Sequence, residues 1–154
     1  MCIRDRVATR FAEISEPPLL QVGNVWSVVS REDSWELVAR FVTKDMLLRF
    51  EDVALQVLQE ELPAFDLDAN ERWMAGIKGR KAKHSGVLRK GIVESLALLT
   101  SRNEILPDAI GMEAKSMVDR LVRKLLPTKG NWQRWASLSR QLPDIAEALS
   151  LIHI

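Results

Sequence analysis

A run of apolar residues at helical spacing between Met112 and Leu126 constrains the fold of this chain more than any other feature. The apolar positions recur at i, i+3, i+4 and i+7, and charged or polar residues fill the opposite face, which is typical of an amphipathic helix. Pro127 cannot continue a helix, so the predicted element ends just before it. The face expected to pack on a core comprises Ala114, Met117, Val118, Leu121, Val122 and Leu125.

Further helices are predicted from residues that can cap a first helical turn. Ser, Thr, Asp and Asn side chains accept hydrogen bonds from the free N–H groups there, and an acid at the third position strengthens the signal. The predicted caps are Ser30 (with Asp33), Thr43, Asp68 (with Glu71), Ser85 and Asn131, and a short last helix follows Pro143. Segment 15–29 is irregular, with a candidate extended stretch at its end, but no convincing strand is predicted.

The helix predicted from Thr43 to about Glu61 departs from a simple stripe. Leu48 and Leu55 lie off its main apolar face, so a second face is expected to be covered as well. Glu51 is expected to face water, together with the other polar residues of this helix.

The helix predicted from Ser85 to about Thr100 has an interior glycine. Gly91 in a helix destabilises it by about 1 kcal/mol relative to alanine, so a close approach of a neighbouring helix is the expected reason for it. The buried face is expected to consist of Leu88, Ile92, Leu96 and Leu99.

The predicted fold class is all-α, either an antiparallel helical bundle or a truncated α-solenoid slice of about six helices. Two-faced helices favour the solenoid, whereas the lack of a tight internal repeat counts against it. The five tryptophans are expected to anchor the core rather than to stack on a ligand.

Composition and charge exclude several classes of protein. The 154 residues carry a formal net charge of +1, so no overall field draws the chain to nucleic acid or to an acidic membrane. No apolar run approaches the roughly 20 residues of a membrane-spanning helix, and no membrane partner is predicted. Cys2 is the only cysteine, which excludes an intrachain disulfide. A cytoplasmic localisation is therefore expected.

The two ends of the chain are expected to be translated adapter DNA rather than native protein sequence. One short DNA encodes Met1 to Arg6, and its reverse complement encodes Leu149 to Ile154. That DNA resembles the mosaic end of a transposon-based sequencing adapter. Residues 1–6 and 149–154 are therefore set apart as artefacts without specific packing. Residues 7–148 are expected to form a single all-α fragment of a larger protein.

Neither catalytic nor metal-binding residues are predicted, and the chain is not expected to be an enzyme or to hold a cofactor. The stretch from Asp66 to Asn70 opens like a calcium loop, but Glu71 and Ile77 stand where that loop requires Gly and Glu. His84 is the only histidine outside the adapter-like ends. It has no second His or Cys with which to share a metal, so a surface or capping role is expected.

A basic stretch at residues 78–90 is the candidate binding site. It holds six basic residues and no acid, and it runs into the helix predicted from Ser85. Cations beside the free N–H groups and positive dipole end of a helix can bind an anion, such as the phosphate of a nucleotide or nucleic acid. The candidate anion-binding residues are Lys78, Arg80, Lys81, Lys83, Ser85, Arg89 and Lys90. A solvated loop without a ligand is the alternative, and no aromatic residue interleaves the cations to stack on bases.

Short motifs across residues 19–148 carry a resemblance to a known family. They are Val25-Trp26, Val29-Ser30, Asp33-Ser34-Trp35-Glu36-Leu37, Arg49-Phe50, Val53-Ala54-Leu55-Gln56-Val57-Leu58, Glu71-Arg72-Trp73-Met74-Ala75, His84-Ser85-Gly86-Val87-Leu88-Arg89-Lys90-Gly91, Leu96-Ala97-Leu98-Leu99, Trp132, Trp135-Ala136-Ser137-Leu138-Ser139 and Leu142-Pro143. With them the chain resembles the helical region downstream of the nucleotide-binding domain in large bacterial STAND-type P-loop NTPases, some linked to anti-phage defence. The resemblance implies a sensor or scaffold whose parent binds a target and oligomerises. The family's Walker motifs are not in this chain, so ATP hydrolysis is assigned to no residue.

The predicted function is a non-catalytic interaction or sensor segment of a large cytoplasmic bacterial protein. Its expected partners are other helical layers of the parent protein and a protein target. The alternative is a helical module that binds nucleic acid or phosphate through residues 78–90. An apolar face is expected to remain uncovered, because a solenoid layer buries its faces against neighbouring layers. Leu142, Ile145 and Leu149 in particular are expected to have little to pack against.

Overall fold

The computed structural model describes residues 17–126 and 131–150, and these are mainly helical, which confirms the predicted all-α class. Six α-helices occur in these ranges: Arg31–Val38 (α1), Lys44–Leu58 (α2), Gly86–Ser101 (α3), Asp108–Leu125 (α4), Trp132–Leu138 (α5) and Leu142–Ser150 (α6). Short 3-10 helices cover Ala39–Phe41, Pro63–Asp66, Ala69–Met74 and Asn103–Ile105. The chain divides after Val42 into two compact units.

The first unit contains a small hairpin where the sequence indicated only an extended stretch. Strands Leu19–Val22 (β1) and Val25–Val28 (β2) pair in antiparallel register around a two-residue turn. Gly23 in that turn has φ +61°, a left-handed conformation that glycine adopts without steric penalty. The expectation of helices without a strand is therefore corrected at this one place.

Helix α1 begins where the sequence predicts. The Ser30 hydroxyl accepts a hydrogen bond from the Asp33 N–H at 3.3 Å, and the Ser34 hydroxyl donates to the Ser30 carbonyl at 2.6 Å. The predicted cap at Ser30 is confirmed. Ala39, in the 3-10 turn that follows α1, is fully buried.

The core of the second unit lies where α2, α3, α4 and α6 pack against one another. Helix α4 supplies the largest share, and its predicted apolar stripe is buried throughout. Leu121 and Leu125 are fully buried, and each such leucine contributes about 1.5–3 kcal/mol to folding. Helix α4 also begins earlier than predicted, at Asp108, so that Gly111 falls within its first turns.

Helix α2 follows its predicted cap and main stripe. The Thr43 hydroxyl accepts a hydrogen bond from the Met46 N–H at 3.3 Å, which confirms the cap. The buried apolar residues are Leu47, Ala54, Val57 and Leu58. Leu48 is 47% exposed and Leu55 is half-buried, so the described residues cover the second face only in part.

Glu51 is buried, which corrects the expectation that it faces water. Its carboxylate accepts hydrogen bonds from Arg120 Nε at 3.0 Å, from Arg120 Nη2 at 2.6 Å and from Lys124 Nζ at 3.2 Å, all from α4. The bonds from Arg120 hold the pKa of Glu51 below its ordinary value, although burial opposes them. The periodicity of α2 could not reveal this role, because the cations come from another helix.

Helix α3 buries Ile92, Leu96 and Leu99 as predicted, but its first turn differs. Leu88 is 44% exposed, whereas the neighbouring Arg89 is only 3% exposed. The expected close packing at Gly91 is also wrong, since no atom lies within 4 Å of the position that a Cβ would occupy there.

Replacing Gly91 with alanine is therefore expected to stabilise the chain by about 1 kcal/mol, because alanine fits the helical backbone and restricts the unfolded chain. Urea denaturation of the full chain measures the change. Gly111→Ala is the matched control in α4, where the added Cβ would lie 3.1 Å from the Asn103 carbonyl oxygen, and it is expected to destabilise. An equal gain from both substitutions would contradict this difference in packing.

Helix α5 is capped as predicted, because Asn131 Oδ1 accepts a hydrogen bond from the Arg134 N–H at 3.0 Å. Helix α6 packs against α3, with Ile145 1% exposed and Ala148 fully buried. The expectation that this last segment lacks packing partners is therefore wrong for Ile145.

The structure describes only part of the two adapter-like ends. Helix α6 continues through Leu149 and Ser150, the first two residues of the adapter-like segment. Residues 1–6, residues 151–154 and the predicted helix stop at Pro127 lie outside the described residues. Across the described ranges, no helix combines the length and the apolarity needed to cross a membrane.

Candidate functional site

The basic stretch begins as the sequence predicts. All residues from Lys78 to Lys83 are exposed, and α3 starts directly afterwards at Gly86. The Ser85 hydroxyl accepts a hydrogen bond from the Leu88 N–H at 3.1 Å. Ser85 is therefore the helix cap, and its side chain already has a partner in the first turn of α3.

A glycine turn holds the start of the basic stretch in place. The Arg80 N–H donates to the Ala75 carbonyl at 2.8 Å, and the Gly79 N–H donates to the Gly76 carbonyl at 3.2 Å. Gly79 has φ +71°, and this combination is the Schellman motif that commonly ends a helix. The turn directs the chain away from the segment that contains Ala69–Met74.

Replacing Gly79 with alanine is expected to destabilise the chain by about 1 kcal/mol, because a Cβ is disfavoured in the left-handed conformation. No atom lies within 4 Å of the added Cβ, so the effect is conformational rather than a clash. Urea denaturation measures it, and Gly76→Ala serves as the control because Gly76 has no positive φ. Equal effects at both positions would count against the proposed turn.

A carboxylate of the chain itself lies beside the start of α3. Glu60, in the segment after α2, accepts hydrogen bonds from the Lys83 N–H at 2.5 Å and from the His84 N–H at 3.1 Å. Its Oε2 also lies 2.9 Å from His84 Nδ1. Burial raises the pKa of Glu60, but the hydrogen bonds from Lys83 and His84 outweigh it and hold that pKa below its ordinary value.

Arg89 is a buried structural residue, which corrects its assignment to an exposed anion site. Its Nη1 donates to the carbonyls of Val57 at 3.3 Å and Glu60 at 3.1 Å, and its Nη2 donates to the Ser137 carbonyl at 3.0 Å. These carbonyls lie at or after the C-terminal end of α2 and in α5, where free carbonyls and the negative dipole end favour a cation. Burial lowers the pKa of Arg89, and the charge of Glu60, 3.9 Å away, opposes that shift.

The other predicted cations remain at the surface. Lys78 Nζ forms an ion pair with Glu71 at 2.7 Å, and Lys90 Nζ lies 3.7 Å from a carboxylate oxygen of Glu94. Among the described residues, Arg80, Lys81 and Lys83 have no ion-pair partner for their side chains. We call Arg80, Lys81, Lys83 and Lys90 the basic surface.

Large apolar side chains are exposed on the same part of the chain. Trp73 is 76% exposed, Ile77 82% and Val87 84%, the highest values for large apolar residues in the described ranges. The expectation that the tryptophans anchor the core is therefore wrong for Trp73, and also for Trp132 and Trp135, which are 50% and 40% exposed. Ile77 lies in the turn after the 3-10 helix Ala69–Met74 and Val87 lies in the first turn of α3, so no apolar stripe of a helix predicts their exposure.

Trp132 instead packs against a cation beside the site. The Arg72 guanidinium carbon lies 4.9 Å from the centre of the Trp132 ring and 5.4 Å from that of Phe65. The two rings meet edge to face at 5.5 Å. This stack connects α5 to the segment before the basic stretch and contributes a cation–π attraction.

The calcium-like stretch runs from the end of the 3-10 helix Pro63–Asp66 to the start of the 3-10 helix Ala69–Met74. Asp68 stands directly before the second helix as predicted, but its side chain makes no capping hydrogen bond, so the predicted cap is confirmed in position only. No group of three His, Cys, Asp or Glu side chains in the described part of the chain is placed to hold a metal ion.

Comparison of the chain with protein-family models, with curated proteins and with solved structures finds no match.

Proposed function

We propose that this chain is a non-catalytic helical interaction segment of a large cytoplasmic bacterial protein. The observation that carries the proposal is the exposure of Trp73, Ile77 and Val87, which flank the exposed cations of residues 80–83 in the sequence. Exposed apolar clusters with a polar or charged rim are typical of protein-binding surfaces, and Trp is enriched in such contacts. The motif resemblance supports a STAND-type NTPase as the parent protein.

The proposal is tested by sedimentation velocity of the full chain over a range of concentrations. The exposed apolar side chains are expected to cause concentration-dependent association, which the double variant Ile77→Ser/Val87→Ser removes. Met112→Ser is the matched control, because Met112 is also exposed, at 72%, but lies on α4. A monodisperse monomer at every concentration, or association that the double variant retains, would contradict the proposal.

A nucleic-acid-binding module is the second candidate, favoured by the exposed side chains of Arg80, Lys81 and Lys83. Titration with duplex DNA, RNA and nucleotides at low and moderate salt separates the two functions. An interaction segment is expected to show no saturable binding, whereas phosphate contacts produce affinity that falls steeply with salt. Saturable, salt-sensitive binding that Lys81→Glu removes would favour the second candidate.

A further inference from the structure

We propose that the surface formed by residues 73–90 binds an acidic amphipathic helix of a partner protein. This inference rests on the proposed function and adds the chemical class of the partner. The partner helix is expected to carry a row of carboxylates, which pair with the cations of this surface, and a row of apolar side chains, which cover its exposed apolar residues. Each feature is matched by exposed residues of this segment.

The apolar match comes from side chains spaced by one helical turn. Trp73 and Ile77 are four residues apart: Trp73 lies at the end of the 3-10 helix Ala69–Met74, and Ile77 lies in the helical turn that the Lys78 N–H closes on the Met74 carbonyl at 2.9 Å. Residues four apart lie on the same side of such a turn. Val87 stands at the start of α3, beyond the basic residues. A partner that covers all three must therefore carry apolar side chains at more than one position along its length.

The charge match comes from the cations between these apolar residues. Arg80, Lys81 and Lys83 lie in the exposed run between Ile77 and Val87, and no acid interrupts them. A group of like charges raises the local positive potential, which steers a negatively charged partner toward the surface and disfavours a positively charged one. An acidic amphipathic helix can place its carboxylates opposite these cations and its apolar side chains opposite Trp73, Ile77 and Val87.

A protein partner is favoured over a phosphate because three of the backbone donors at the start of α3 already have acceptors within the chain. The N–H groups of Lys83 and His84 donate to Glu60, and that of Leu88 donates to Ser85. A phosphate at this helix start would also lie beside the Glu60 carboxylate, which carries the same sign of charge. Trp73 is the one aromatic side chain among the three exposed apolar residues, and Ile77 and Val87 are aliphatic, so the surface lacks the series of rings on which single-stranded nucleic acid stacks.

The test uses the full chain and a fluorescent helix-forming peptide with leucine along one face and glutamate on the others. Fluorescence anisotropy is expected to show saturable binding. Lys81→Glu/Lys83→Glu is expected to weaken it about tenfold by replacing attraction with repulsion. Ile77→Ser/Val87→Ser is expected to weaken it by a similar factor, of about ten, through lost apolar contact. Arg140→Glu and Met112→Ser, at exposed positions elsewhere, are the matched controls and should leave the affinity within about twofold.

Three further probes identify what would overturn the inference. A peptide with lysine in place of glutamate, and a scrambled peptide of the same composition, are expected to bind much more weakly. Equal binding of the lysine peptide would exclude an acidic partner, and equal binding of the scrambled peptide would exclude a helical apolar face. Tighter binding of duplex DNA at the same salt would assign the surface to nucleic acid. If the acidic peptide does not bind but the chain still associates through Ile77 and Val87, only this inference is wrong. If that association is absent in sedimentation velocity, the proposed function is wrong as well.

Discussion

Replacing Arg89 with methionine is expected to destabilise the chain by about 3–4 kcal/mol, because removal of one partner from a buried polar network leaves the others unsatisfied. Methionine keeps most of the length and volume of the side chain. The carbonyls of Val57, Glu60 and Ser137 would lose their common donor, and the Glu60 carboxylate would lose its nearest buried cation. Urea denaturation of the full chain, followed by circular dichroism, measures the change in unfolding free energy.

Lys90→Met is the matched control for Arg89→Met. Lys90 is the next residue of α3, carries the same charge and has a side chain that is 63% exposed, with its ammonium 3.7 Å from a Glu94 carboxylate oxygen. Exposed ion pairs of this kind contribute about 0–1 kcal/mol, so a small effect is expected. Similar losses from both substitutions would show that charge on α3, rather than the buried network, determines stability.

Glu60→Gln is expected to destabilise the chain by about 2–3 kcal/mol, because a charged acceptor of several hydrogen bonds is replaced by a neutral amide. One oxygen becomes an NH₂ group that cannot accept from Lys83 or His84. The buried guanidinium of Arg89 also loses its counter-charge. Glu61→Gln is the control, since the neighbouring Glu61 is exposed and bonds Asn131 and Arg134 at the surface.

The same substitution changes the dependence of stability on pH. The pKa of Glu60 is lower in the folded chain than in the unfolded chain, so its ionised form stabilises folding. That contribution is fully present above the unfolded pKa, close to 4.5, and is lost as the pH falls through the lower folded pKa. Glu51 acts in the same direction. Urea denaturation between neutral and acid pH is expected to show a shallower loss in Glu60→Gln than in the wild type, and identical slopes would argue against the role of Glu60.

Local patterns were sufficient for most helix boundaries. Thr43, Ser85 and Asn131 cap their helices as predicted, because a capping hydrogen bond joins residues only three apart. The hairpin around Gly23 also has a local signal, since a Gly-Asn pair between two short apolar runs is typical of a hairpin turn. Each strand has only 4 residues, which is too short for a clear alternation of apolar and polar side chains.

The sequence predicts the exposed basic stretch of the candidate site but not the carboxylate that lies beside it. An exposed basic stretch before α3 follows from composition alone, because an uninterrupted run of cations avoids burial. That the neighbouring anion is Glu60 does not follow, since residues 60 and 83 are far apart in sequence and meet only through the packing of α2 and α3. The sequence indicates that the start of α3, beside several cations, favours an anion, but it does not identify Glu60 as the neighbouring carboxylate.

The sequence by itself determined the helical class, the caps of α1, α2, α3 and α5, and the buried stripe of α4, because these depend on neighbours within one or two turns. Only the tertiary structure decided the first turn of α3, where adjacent residues compete for the inward position. A pattern of hydrophobicity predicts Leu88 there, yet Arg89 is buried instead. The physical reason is that the carbonyls at the end of α2 and in α5 need a donor, and a guanidinium supplies several at once. The need of these carbonyls for a donor arises in other segments of the chain, so the periodicity of α3 cannot predict that Arg89 is buried.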